Sequence, residues 1–194
     1  MNGKLAILTS AIVAAACAHA AKELVDGYTW EYTVANGEAT VTGVEPVSGN
    51  AVMPAILGGV PVTGIGENSF WDKRGFQSFV VPEGVRSIGR YAFAYSYANI
   101  ELPSTLSHIG TYALMGSYLS KWTVGENVTL DTYALYYSMD RCDIVAVGKV
   151  PDAFWEGMNA KDNYEYHAYG AAHRAKSFVA KRRYAGEWMK YFSG

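Results

Sequence analysis

Cysteine is nearly absent from this 194-residue chain, which has only Cys17 and Cys142, and histidine is scarce at four. Cys17 lies in an apolar N-terminal stretch. Once that stretch is removed Cys142 stands alone, so no internal disulfide can staple the fold. Cys142 shares a sequence column with apolar residues and reads as a small buried hydrophobe. His167 and His173 are six apart, not at the i, i+4 spacing that sets two ligands on one helix face, and adding Asp162 or Glu165 makes only a weak metal site. There is no G-x-S-x-G elbow, no P-loop and no G-x-G-x-x-G after a strand. Carboxylates are scattered over predicted turns, so the paired acids of a glycosidase cannot be named. The expectation is no catalytic residue, no metal and no cofactor, with function residing in a surface.

Charge of either sign is modest, 16 basic and 18 acidic residues, but unevenly placed. Between Lys22 and Gly170 there are 17 acids and 9 bases, whereas from Ala171 onward 6 bases accompany one acid, Glu187. A basic cluster this small reads as the solvated face of a helix. Nucleic acid is not expected as a partner.

What the chain does have is repetition. Ile65-Gly66-Glu67-Asn68-Ser69-Phe70, Ile88-Gly89-Arg90-Tyr91-Ala92-Phe93 and Ile109-Gly110-Thr111-Tyr112-Ala113-Leu114 are three versions of one phrase, and Leu130-Asp131-Thr132-Tyr133-Ala134-Leu135 is a fourth, with starts 23, 21 and 21 residues apart. Self-similarity at that period marks a solenoid. Between hexamers, apolar columns recur: Phe76, Tyr97, Leu119 and Cys142; then Phe79, Ile100, Trp122 and Val145; then Val81, Leu102, Val124 and Val147, followed by Pro82, Pro103, Gly125 and Gly148. Apolar residues two apart share one face of a strand, so these columns read as inward-facing pairs closed by a breaker. Val85, Leu106 and Val128 lead back to the hexamer. Its small column, Ser69, Ala92, Ala113 and Ala134, is expected to admit no large side chain, because successive coils stack at strand spacing, about 4.8 Å. A decayed fifth copy is visible at Val150-Pro151-Asp152-Ala153-Phe154. Four repeats and a remnant exceed the roughly three that a stacked core needs.

These residues resemble the leucine-rich repeats of the BspA type, whose units run V-x-x-I-G-x-x-A-F, a variable stretch, then L-x-x-I-x-L-P. Val85-Arg86-Ser87-Ile88-Gly89-Arg90-Tyr91-Ala92-Phe93 with Ile100-Glu101-Leu102-Pro103 matches at each fixed position, and the resemblance covers about residues 51–157. The cysteine frequent after the Phe in that family is absent, and the fourth repeat has lost its Gly and Pro. The resemblance implies a bacterial-type surface or secreted solenoid used for adhesion or recognition.

The organisation expected is therefore a mainly β repeat solenoid in four parts. Residues 1–20 form a signal peptide: Lys4, an apolar run from Leu5 to Ala16, and Ala18-His19-Ala20 before cleavage at Ala21. The run is too short to remain as a span. Lipid attachment at Cys17 is the alternative, although Ala14 stands where a larger aliphatic residue is usual. Residues 27–61 form an N-terminal β-hairpin cap and leading coil, with Asn36-Gly37 as the turn and Tyr28, Trp30 and Tyr32 facing the first coil. Residues 62–157 are the leucine-rich repeats. Residues 158–194 form a C-terminal cap, with a possible strand over 164–168, an amphipathic basic helix over 171–184, and Trp188, Met189 and Phe192 closing the last coil.

Two outer surfaces follow. Ser78, Val80, Asn99, Glu101, Lys121, Thr123, Ile144 and Ala146 flank the inward pairs and should form the outward face of the strand sheet, the usual binding face of such repeats. Tyr91, Tyr112 and Tyr133 share a column and should stack as a ladder, able to hold a sugar or an extended peptide or simply to brace neighbouring coils. The expected function is that of a non-catalytic secreted or cell-surface protein, exported by a bacterial-type route, that recognises a protein through the sheet. The alternatives are a glycan-binding module using exposed aromatics such as Tyr91, Tyr112, Trp71 or Trp155, and a ligand-free structural module of the envelope.

Overall fold

The computed structural model describes residues 19–125, 128–136, 138, 143–146 and 177–180, with backbone alone at 120–121, 143–146 and 177–180. The expectations for Cys142, the decayed copy at 150–154, Trp155, the strand over 164–168, His167, His173 and the closing Trp188, Met189 and Phe192 lie outside these residues.

Each coil contributes one strand to each of two sheets. The first sheet opens with antiparallel strands β1 (His19–Val25), β2 (Tyr28–Ala35) and β3 (Glu38–Glu45). It continues in parallel through β6 (Val60–Ile65) and the two-residue strands β8 (Ser87–Ile88), β10 (His108–Ile109) and β12 (Thr129–Leu130). The second sheet is wholly parallel, in the order β14 (Ser177–Ala180), β13 (Asp143–Ala146), β11 (Tyr118–Val124), β9 (Asn99–Leu102), β7 (Phe76–Val80) and β4 (Gly49–Val52). The short β5 (Ile56–Leu57) pairs antiparallel with β6.

The hexamer makes the corner between the sheets. Its Ile enters the short strand, where Ile65, Ile88, Ile109 and Leu130 stand side by side in register. After the corner, Phe70, Phe93, Leu114 and Leu135 form an interior file, at most 6% exposed, with the Phe70 and Phe93 rings stacked at 4.8 Å. Burying each such side chain stabilises the fold by roughly 1.5–3 kcal/mol. The corner backbones bond from rung to rung: the Phe70 N–H donates to the Ala92 carbonyl at 2.7 Å, Phe93 to Ala113 at 2.7 Å and Leu114 to Ala134 at 2.9 Å. The small column is buried throughout, as the spacing predicts.

Gly89 and Gly110 owe their place to close approach, because a Cβ at Gly89 would stand 2.7 Å from the Glu67 nitrogen, and one at Gly110 2.9 Å from the Arg90 nitrogen. Neither has a positive φ. A special turn conformation is therefore not what the glycine supplies.

The N-terminal hairpin forms at Asn36-Gly37, both at positive φ, and Trp30 is fully buried with its ring 5.9 Å from Phe79. Tyr32 is buried and Tyr28 half-buried. Beyond expectation, Asp26-Gly27 makes a second tight turn that brings β1 onto β2. β1 starts at His19, so its first two residues precede the expected cleavage point.

Three expectations are corrected. The helix over 171–184 is not found where the structure describes that segment: Ser177–Ala180 is a strand paired in parallel with β13. Phe178 and Val179 favour strand, and the open edge of β13 offers hydrogen-bond partners that local helical propensity cannot match. Tyr97 leaves the core column of Phe76 and Leu119, standing 43% exposed while those two are buried. Finally, a β-bulge between Leu119 and Lys121 shifts the ladder, setting Leu119 opposite Ile100 and Trp122 opposite Leu102. Ile144 then pairs with Trp122 and Ala146 with Val124, both buried positions, while Asp143 and Val145 stand opposite Lys121 and Thr123.

Candidate binding surfaces

The outward face of the parallel sheet consists of two rows crossing the rungs. One runs through Asn50, Ser78, Asn99 and Tyr118, the other through Val52, Val80 and Glu101, whose backbone ladder continues to Lys121 and Asp143. Asn99 and Glu101 are exposed, and Ser78, Val80 and Thr123 are half-buried. Ser78 Oγ donates to Asn50 Oδ1 at 2.9 Å, tying the first row together. The second changes from apolar at Val52, 60% exposed, to charged at Glu101. This face is mixed in chemistry.

The tyrosine column stacks as expected. Tyr91 and Tyr112 lie 5.2 Å apart at 3°, Tyr112 and Tyr133 5.0 Å apart at 12°, and Arg90 covers the outer Tyr91 ring at 4.9 Å. Tyr136 meets the edges of the Tyr112 and Tyr133 pair. The corner requires a left-handed backbone here, and the three tyrosines hold φ of 52°, 56° and 60°, where the first rung has Asn68 at 57°. For a residue with a Cβ that conformation costs roughly 1–2 kcal/mol. Aromatic pairs gain about 0.5–1.5 kcal/mol beyond burial, enough to offset it. The same packing takes the ring faces with neighbours.

A second aromatic set was missed by the sequence reading. Tyr95, Tyr97 and Tyr118 are 39%, 43% and 47% exposed on the flank where the chain enters the parallel sheet. Arg74 lies over Tyr97 at 5.2 Å, and Tyr97 faces Tyr118 at 6.4 Å, so the three occupy successive rungs. Asp72 Oδ1 accepts from Arg74 Nε at 2.6 Å, and this bond raises the guanidinium pKa further. Beneath them runs a file of buried serines, Ser96, Ser117 and Ser138, spaced 21 apart. Ser96 and Ser117 share a hydrogen bond at 3.0 Å, and Ser117 Oγ donates to the Phe93 carbonyl at 2.6 Å. With the serine held inward, its neighbours Tyr95 and Tyr97 are turned out, as is Tyr118. The recurring Ser-Tyr pairs, Ser96-Tyr97 and Ser117-Tyr118, were the available signal.

On the first sheet, Arg86 Nη2 bonds Glu38 Oε1 at 2.6 Å and Thr63 donates to the same carboxylate at 3.0 Å, holding the Glu38 pKa below its ordinary value. His108 and Asp131 meet at 3.1 Å. Among the described residues no three His, Cys, Asp or Glu side chains converge as a metal site, and no helix is long and apolar enough to cross a membrane.

This geometry has relatives. The family model for the BspA type leucine-rich repeat region matches six times over residues 63–148. A leucine-rich repeat protein from T. pallidum superposes with a TM-score of 0.50 over 60% of this chain and 68% of its own, at 16% identity. One from Bacteroides ovatus gives 0.42 over 64% of this chain and 41% of its own, at 21% identity. No curated protein matches. The periodic hexamer, the coil it folds into and the family match coincide: residues 63–148 form a BspA type leucine-rich repeat region.

Proposed function

We propose that the chain is a non-catalytic, secreted or cell-surface recognition protein whose outward parallel sheet binds another protein. The observation that carries this reading is the pair of continuous rows across the sheet, Asn50 to Tyr118 and Val52 to Glu101. Hydrogen-bonding, apolar and charged groups there are presented at a fixed pitch by a rigid frame, which suits side-chain readout of a polypeptide. Nearly every inward residue is committed to packing, leaving the surface to carry function. The likeness to solved leucine-rich repeat proteins supports the fold, and the family supports an extracellular setting.

The test is selection of a random peptide library on the immobilised protein, followed by affinity measurement of enriched peptides. Glu101→Lys and Asn99→Arg should each weaken binding by about tenfold or more, with unaltered circular dichroism. Undiminished affinity in both variants, or no enrichment, rejects the sheet as a protein-binding face.

A further inference from the structure

The exposed tyrosines on the flank of the solenoid hold a strained backbone with only partial ring contacts, Arg74 over Tyr97 and Tyr97 beside Tyr118. Tyr95 and Tyr97 have φ of 58° and 55°, the left-handed region, and in the next rung the position matching Tyr95 is Gly116, which takes φ of 69° without strain. The coil therefore tolerates glycine at this corner. Tyrosine stands there instead, and unlike Tyr112 it is not sandwiched between rings of adjacent rungs.

The arrangement is also directional. Arg74, Tyr97 and Tyr118 advance along the solenoid axis one rung at a time, with Tyr95 lying across Gly116 beside them. Adjacent rungs are separated by strand spacing, about 4.8 Å, comparable with the advance per hexose along an extended polysaccharide. Open aromatic faces with hydroxyl tips suit sugars, whose C–H faces stack on rings and whose rims hydrogen-bond. The Asp72–Arg74 pair supplies a donor and an acceptor with no net charge, and Asn99, exposed at the start of β9, adds an amide. Glu101 close by on the same strand disfavours a polyanion.

We propose that this flank, which adjoins the sheet face and shares Asn99 and Tyr118 with its first row, binds an extended neutral polysaccharide running along the solenoid axis, its sugars stacked on Tyr97 and Tyr118 and bordered by Tyr95, Asn99 and the Asp72–Arg74 pair. An aliphatic-rich peptide would find little to grip there, since the patch offers rings and polar groups without an apolar pocket.

Affinity electrophoresis in native gels cast with laminarin, hydroxyethyl cellulose, xylan or galactomannan tests it. Retardation is expected in at least one gel, reduced by about tenfold in association constant for Tyr97→Ser and for Tyr118→Ser, and unchanged for Lys22→Ala. Tyr97→Gly guards against misfolding: its melting temperature should equal or exceed that of the parent while retardation is lost. Absence of retardation in all four gels, or retardation undiminished in the Tyr97→Ser/Tyr118→Ser double variant, overturns the proposal. Loss of a selected peptide's binding on Tyr97→Ser, with no gel retarding the parent, would assign the flank to a protein partner and overturn it equally. Glu101→Lys should weaken only the peptide arm and Tyr97→Ser only the polysaccharide arm, so the two readings are told apart although Asn99 and Tyr118 border both surfaces.

Discussion

Tyr91, Tyr112 and Tyr133 on one side of the corner, and Tyr95 and Tyr97 a few residues on, share a backbone conformation and differ in what surrounds their rings. In the first set each ring lies against its counterpart one rung away. In the second the rings stand open, with Arg74 and Tyr118 as partial neighbours. The same local strain is thus compensated within the fold in one place and left outstanding in the other. A residue type repeated in a solenoid can be architecture in one column and working surface in the next, and the number of ring faces already occupied tells them apart.

The largest way to break that comparison is to remove what both sets stand on. Phe93→Ala empties the interior file between Tyr91 and Tyr95 and should cost about 3–5 kcal/mol, read by urea unfolding. Both surfaces should fail together, because each rung hydrogen-bonds directly to the next.

A smaller perturbation should separate them. Tyr112→Ala deletes two stacked contacts while keeping the strained backbone, and a loss of about 2 kcal/mol is expected. Tyr97→Gly should shift stability by about 1 kcal/mol or less, in the favourable direction, as relief of the left-handed strain slightly exceeds the entropic cost of glycine. Equal destabilisation by the two substitutions in the same unfolding assay would abolish the distinction between the sets.

The smallest effect is electrostatic. Burial first, then the neighbouring Tyr133, Tyr91 and Tyr95, raise the pKa of the Tyr112 phenol. The folded chain keeps that proton when the unfolded chain begins to release it. Its contribution is therefore complete below about pH 10 and disappears as the pH rises through the higher folded value. Tyr112→Phe should flatten the alkaline fall in stability measured by thermal melts.

The repeating frame was legible because its cause is local. Small Ala at 92 and 113 and large Phe or Leu one residue later recur at the coil period, and the close stacking that demands them acts in each rung. Asn36-Gly37 announced its hairpin for the same reason, although Asp26-Gly27, an equal signal, was passed over. What stayed hidden depends on pairing between distant segments. The extra residue absorbed between Leu119 and Lys121 looks in sequence like a longer variable stretch, yet it shifts the ladder between β9 and β11. β14 was misread because a run of alanines and bases suggests a helix, and the neighbouring strand edge that overrides it lies more than thirty residues earlier. Tyr97 was misplaced for a different reason: alignment put it with Phe76 and Leu119, but its hydroxyl and its position beside buried Ser96 favour the outside. Of the surfaces, the rows through Ser78, Asn99 and Glu101 could be read from alternation, whereas the open tyrosine flank required the coordinates.

Because the corner carbonyl of each coil accepts from the coil before it in nearly the same geometry, the molecule is extensible in principle. A duplicated unit inserted between the second and third repeats would find both of its interfaces already made, and would lengthen the solenoid by one step. The bulge in β11 limits that freedom, since only units taken from before it keep Glu101 and its counterparts outward. Growth of this kind would lengthen both tyrosine files at once, turning chain length itself into a control over how much partner the protein can span.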